Sequence, residues 1–281
     1  MKTKKVIQKL TYACACVVFI LFSGCKKDAV DQVTPEDMDF QAEDFELEEQ
    51  IGNDADKMAD EAYTNGNSSS RLSPSSPVNS VLSCAVVTND TVSHLLTIDF
   101  GSGCTGPDGR TRRGQILIQY NGHYFDPGFS RTGSFNNYFV DSNAVSGTRS
   151  ITNNGFNGNG NLNWTIQAQN MRVTRPNGYY NQRNSTRNRE MIAGLATTGD
   201  PTDDIYLITG SGTCINSNGK SATLTITNPL RKELSCRWIV SGTVVITPLN
   251  HAARTLDYGQ GSCDHFATVT RNGTSRVIVL H

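Results

Sequence analysis

The sequence predicts an all-β, antiparallel fold, and three observations point to it. Short segments alternate apolar with polar residues and are rich in Val, Ile, Thr and aromatics, the texture of half-buried strands. Turn dipeptides punctuate them: Asn-Gly occurs at 121–122, 154–155, 157–158, 159–160, 177–178, 218–219 and 272–273, and Pro107-Asp108-Gly109 adds another. Asn tolerates positive φ and Gly favours it, as a two-residue type I′ hairpin loop requires. Long helices have almost no place to form; within this region 189–195 is the best candidate, and it is short. The expected architecture is a strongly curved meander of about a dozen strands, a sandwich or an open barrel-like sheet, behind a short acidic tether of helical and disordered pieces.

The chain opens with Lys2, Lys4, Lys5 and Lys9, followed by an apolar run over 10–22. That run is too short for a spanning helix of roughly 20 residues and suits the core of a secretion signal. It ends in Leu21-Phe22-Ser23-Gly24-Cys25, which resembles the lipobox of bacterial lipoproteins. Leu usually stands three places before the cysteine, where Phe22 is here. Residues 1–24 are therefore expected to be removed and Cys25 to be lipidated, making the lipid the membrane attachment.

Charge divides unevenly beyond that point. From position 26 to 63 there are fourteen acidic residues against Lys26, Lys27 and Lys57; from 64 onward there are eighteen basic residues, sixteen of them Arg, against twelve acidic. Thr34-Pro35-Glu36-Asp37 reads as a helix start, with Thr34 as N-cap and acids complementing the helix dipole. A weak apolar stripe of Phe40, Leu47 and Ile51 follows, and Gly52-Asn53 is expected to stop it. A second short helix fits 54–63, and the Asn/Gly/Ser run at 65–70, with Pro74 and Pro77, has linker composition. Residues 25–77 thus read as an acidic spacer and 78–281 as one β domain.

Inside that domain two units echo each other. Ser83-Cys84-Ala85-Val86-Val87 precedes Thr97-Ile98-Asp99-Phe100-Gly101-Ser102-Gly103-Cys104; Ser235-Cys236-Arg237-Trp238 precedes Thr255-Leu256-Asp257-Tyr258-Gly259-Gln260-Gly261-Ser262-Cys263. A third echo is Val145-Ser146-Gly147-Thr148, Ile208-Thr209-Gly210-Ser211 and Val240-Ser241-Gly242-Thr243, where glycine inside a strand marks a bend or bulge. The first cysteine unit, with Asp108-Gly109-Arg110 and Arg113-Gly114, and the second unit at the end, resemble outer-membrane lipoproteins of the Bacteroidota. The resemblance covers roughly residues 80–281. It implies an outer-membrane location, on the periplasmic face or the cell surface, and brings no activity. Lys27-Asp28 after the anchor is similar to the charged signals that send such lipoproteins to the surface.

With Cys14 and Cys16 removed and Cys25 lipidated, Cys84, Cys104, Cys214, Cys236 and Cys263 remain. Export favours disulfides, and an odd count leaves one thiol over. The midpoint between Cys236 and Cys263 falls at Leu249-Asn250, the turn-like residues available, so these two should pair. Cys84 with Cys104 needs a longer loop or a bulge past Asn89-Asp90. Cys214 is the expected leftover.

Catalytic signatures are absent from the sequence. Asp99 and Asp257 are repeat equivalents before glycine-rich reversals, where Asp ordinarily hydrogen-bonds its own backbone. Asp203-Asp204 reads as a turn before a strand at Ile205. His94, His123, His251 and His265 carry no triad motif: there is no GxSxG elbow, and Asp264 and His265 point to opposite sides of a strand. The GxG fragments lack the helix a phosphate site needs, and no cysteine spacing suggests a metal. No cofactor, metal or nucleic-acid partner is expected. The aromatic stretch Tyr120, Tyr124, Phe125, Phe129, Phe135, Tyr138 and Phe139 suits a core, with a sugar platform as the other reading.

The arginines offer the sharper candidate. A two-residue loop at Asn177-Gly178 pairs positions summing to 355, placing Arg172 opposite Arg183 on a ribbon that also carries Arg175, Arg187 and Arg189. Arg187 and Arg189 would project from one face about 6.8 Å apart. Such a ribbon reads as solvent-projecting and suited to a phosphate- or sulfate-bearing glycan; the plainer reading is that acids elsewhere, such as Glu190 or Asp203, neutralise it. The functional expectation is a lipid-anchored envelope module without catalysis, contacting an anionic glycan, lipopolysaccharide or an envelope protein. The alternative is a surface hydrolase acting on polysaccharide.

Overall fold

The computed structural model describes residues 41–66, 81–197 and 200–280. The signal at 1–24, Cys25, the helix start at Thr34 and the linker from 67 onward lie outside the described residues, while the first two residues of the expected linker, Asn65 and Gly66, are helical. The β region forms β1 (Val86–Asp90), β2 (Leu95–Asp99), β3 (Cys104–Thr105), β4 (Thr111–Tyr120), β5 (Ser130–Val140), β6 (Asn143–Phe156) and β7 (Leu162–Thr174). It continues as β8 (Tyr180–Ala193), β9 (Ile205–Asn216), β10 (Ser221–Glu233), β11 (Ile239–Pro248), β12 (Arg254–Gln260), β13 (Phe266–Arg271) and β14 (Thr274–Val279). Neighbours in sequence pair antiparallel throughout, except that β2 pairs β4 directly and the two-residue β3 sits on β4. The sheet does not close: β1 and β14 are its edges. The segment 189–195 is therefore not helical; most of it is the end of β8, paired with β7 and β9.

The repeated glycines bend this sheet. Gly114, Gly147, Gly210 and Gly242 all have positive φ. Asn137 and Asn170 take the same region on the strands opposite Gly114 and Gly147. Register shifts fall at Arg113/Gln115, Ser134/Phe139, Ser146/Thr148, Ala168/Met171 and Ser241/Thr243. Bulges on successive strands thus bend the sheet where the Ser-Gly and Thr-Gly echoes stand. At Gly147 no side chain fits, because a Cβ would lie 2.4 Å from the Asn170 carbonyl oxygen.

One helix, α1 (Ala42–Gly66), precedes the strands. It runs unbroken through Gly52-Asn53, where the sequence predicted a stop. The reason is tertiary. Gly52 leaves room for Arg149, whose Nη1 would be 3.2 Å from a Cβ at that position. Asn53 Oδ1 and Asp56 Oδ2 accept from the same guanidinium. Between residues 41 and 63 only Lys57 is exposed. The expected spacer is corrected here: its helical part belongs inside the β domain.

The sheet curves around this helix. Ile51, Ala55, Met58, Ala59, Ala62 and Tyr63 pack against the first strands, with Leu96, Ile98, Ile116 and Ile118. Ala42 and Phe45 pack at the other end against Leu224, Ile246, Leu256 and Ile278. A third cluster gathers Trp164, Ile166, Met191 and Tyr206. Tyr120, Phe129 and Tyr138 are buried, and Tyr124 stacks on Trp164, so most of the aromatic stretch fills the interior. Cys84–Cys104 and Cys236–Cys263 are disulfides with Cα separations of 5.9 and 5.7 Å, and Cys214 is free and buried.

Candidate functional site

Two faces of the sheet carry polar chemistry, and the inner one is closed by α1. Asp54 accepts from Arg112 at 2.6 Å, and Asp108 accepts from the same guanidinium. Asp60 pairs with Arg131 at 2.7 Å and Asp56 with Arg149 at 2.7 Å. Nearer the helix start, Glu49 holds both Arg183 and Arg187, Asp44 holds Arg175, and Glu43 pairs with Arg276. Among the described residues, acids of α1 are therefore paired with arginines of the sheet, mostly in the interior.

Burial shapes its titration. Glu49 is buried, which disfavours its charge, but Arg187, Arg183 and Arg149 together override that and hold it at about 2. Its neighbour Glu48 is pushed up to about 7 by burial, with Arg183 only partly offsetting this. Burial also raises Asp44 and Asp60.

The arginine ribbon read from the sequence does not project into solvent. Arg183 is fully buried and Arg187 is 5 % exposed. Arg189 lies over the Trp164 and Tyr206 rings and donates to the Tyr124 hydroxyl. Arg172 faces outward, donating to Gln182 and lying 4.0 Å from the Tyr180 ring centre. The register differs by one residue from expectation: Arg172 faces Gln182, and Met171 faces Arg183. The cause is Pro176. Gly178 N donates to Arg175 O, and Gly178 alone of the loop has positive φ, so Pro176 and Asn177 form a type I turn closed by a glycine bulge. A one-residue slip exchanges faces, which moves Arg183 from the outer surface to the core.

The outer face offers a different chemistry. An open depression of about 590 Å³ crosses β7 to β10, lined by outward Gln167, Gln169, Asn184, Thr186, Ser211, Thr213, Thr223 and Thr225. Register aligns the row Gln119, Thr132, Ser150, Gln167, Thr186, Ser211 and Thr225 across seven strands. The depression has no charged residue in its lining, and its donors and acceptors are hydroxyls and amides. Such groups suit a neutral polyhydroxylated ligand and provide no proton carrier at neutral pH.

The other singled-out residues serve structure. Asp99 Oδ1 accepts from Gly101 N at 2.7 Å, and Asp257 Oδ1 from Gly259 N at 2.8 Å, the same turn in both repeats. Asp203 Oδ2 accepts from the Thr197 hydroxyl, and Asp204 Oδ2 from the Tyr206 hydroxyl. His265 lies against Trp238 and Phe266, and His94 against Tyr120. Among the described residues no group of three His, Cys, Asp or Glu stands together as metal ligands would. Sequence reasoning missed the outer row, although alternate Thr and Ser along β9 and β10 were its signal. No protein-family model, curated protein or solved structure matches this chain.

Proposed function

We propose that this protein is a lipid-anchored cell-envelope lipoprotein, held at the outer membrane through Cys25, whose β domain is a non-catalytic binding module for a neutral glycan. The observation that carries the reading is the uncharged hydroxyl and amide depression on the outer face, beside an arginine set already engaged by α1. Four of the five ribbon arginines have carboxylate or ring and phenol partners in the interior, which turns the ligand expectation from anionic to neutral.

The test is retention of the mature chain on immobilised neutral and sulfated polysaccharides across a salt series. Retention on a neutral polymer should be insensitive to salt and fall in the triple variant Thr186→Val, Ser211→Ala, Thr225→Val. Retention on sulfated polymer alone, weakening with salt, would return the reading to an anionic ligand. Release of new reducing ends would instate the hydrolase.

A further inference from the structure

The sheet has two open edges, and both expose apolar side chains: Val86 and Val87 on β1, and a cross-strand set on the β13–β14 hairpin beside the first described residues of the N-terminal segment. Phe266 pairs with Val279 and Thr268 with Val277, so Phe266, Val277 and Val279 share one side of the β13–β14 hairpin. They are 45, 65 and 51 % exposed. Aromatics border the patch: the His265 and Phe266 ring centres lie 4.0 Å apart, and Trp238, half-buried against the inner cluster, has its ring centre 5.8 Å from that of His265. Arg237 is exposed and lies over Trp238. Single exposed apolar side chains are ordinary, whereas a cross-strand cluster next to Trp and Arg has the composition of a membrane–water interface.

Its position decides between occupants. Arg276, next to Val277, donates to Glu43 at 2.9 Å and reaches Gln41 at 3.5 Å. Gln41 is the first described residue after the anchor, and sixteen residues from Cys25 span at most about 55 Å. The first strands pack against the other end of α1, about 30 Å along the axis. Of the two open edges, β14 is therefore the one at the anchor's end. We infer that the β13–β14 edge, through Phe266, Val277 and Val279 with the half-buried Trp238 beside them, rests on the lipid surface into which Cys25 is anchored. This rests on the proposed lipidation. The lipid holds the domain at high local concentration, so a patch too small to bind a bilayer alone can still settle on it.

The tryptophans make this measurable, because Trp164 is fully buried and Trp238 is half-buried at the border of the patch. Lipidated mature protein would be reconstituted into phosphatidylcholine vesicles, plain or brominated near the headgroup, recovered by flotation, and its tryptophan emission compared. The expected result is emission quenched by the brominated lipid, with quenching lost in Trp238→Phe and in the triple variant Phe266→Ser, Val277→Ser, Val279→Ser while both still float. Floating protein with unquenched emission overturns the contact, as does quenching that survives the triple substitution. A wild-type dimer that the triple variant makes monomeric would also overturn it, assigning the edge to a second copy. Protein that fails to float, and whose N-terminal peptide lacks the mass of acyl chains, contradicts the lipidation itself. The two failures are therefore distinct.

Discussion

Glu48 and Glu49 are adjacent on one helix, both buried, yet they titrate in opposite directions. Glu49 faces Arg183 and Arg187 and keeps its charge; Glu48 Oε1 has no hydrogen-bond partner within the protein. Because Glu49 has a lowered pKa, its stabilisation is present above about 4.5 and is lost as pH falls toward about 2. Because Glu48 has a raised pKa, the protein is favoured below about 4.5 and loses stability as pH rises through about 7. Urea denaturation across pH should show a maximum near pH 5. Glu48→Gln should stabilise by roughly 3 kcal/mol at pH 8 and have no effect near pH 4. Glu49→Gln should do the reverse at neutral pH, costing about 3 kcal/mol or more because two guanidiniums lose their buried partner. Glu43→Gln, which breaks the more exposed pair with Arg276, should cost less than about 1 kcal/mol. At Cys214 burial pushes the thiol up to about 12, so alkylation at neutral pH should follow global unfolding; rapid labelling of native protein would show the thiol to be accessible.

At the level of elements, the bulges and α1 depend on single residues. Gly147→Ala would set a Cβ against a backbone carbonyl, and thermal denaturation should show a loss of about 3 kcal/mol. Gly122→Ala, also at positive φ but with open space around it, should lose about 1 kcal/mol. A smaller gap between the two would mean that the bulge can relax. These bulges were legible in the sequence because a Gly recurring between Ser or Thr and a second hydroxyl residue has no packing purpose in a strand. The Cys236–Cys263 disulfide was legible from its chain midpoint at Leu249-Asn250, whereas the midpoint of Cys84 and Cys104 falls past Asn89-Asp90 and argued only for a longer loop or a bulge. The register of β7 and β8 does not follow from Asn177-Gly178 alone, because Pro176 favours the first turn position and lengthens the loop. The continuity of α1 was not legible either. A helical glycine costs about 1 kcal/mol by propensity, and only the guanidinium of Arg149, almost a hundred residues away, explains it.

Across the whole molecule, the uneven charge has an internal answer. Read along the chain, acids and arginines form two blocks that suggest a spacer and a ligand surface; folded, they face each other through α1. Sequence separation hid this, because pairs such as Glu49 with Arg187 lie 138 positions apart. The same closure leaves the outer hydroxyl row and the open β1 and β14 edges among the uncovered surfaces of the described residues. It also changes which part of the chain is an autonomous unit: any binding experiment must retain α1. The central claim, that α1 is the ionic core of the β domain, is tested most directly by comparing chains 35–281 and 67–281 in a urea titration followed by near-ultraviolet circular dichroism. Chain 35–281 should show one cooperative transition, and 67–281, whose buried arginines have lost their carboxylates, no native near-ultraviolet signal. A chain 67–281 that shows the same spectrum and the same midpoint would contradict it.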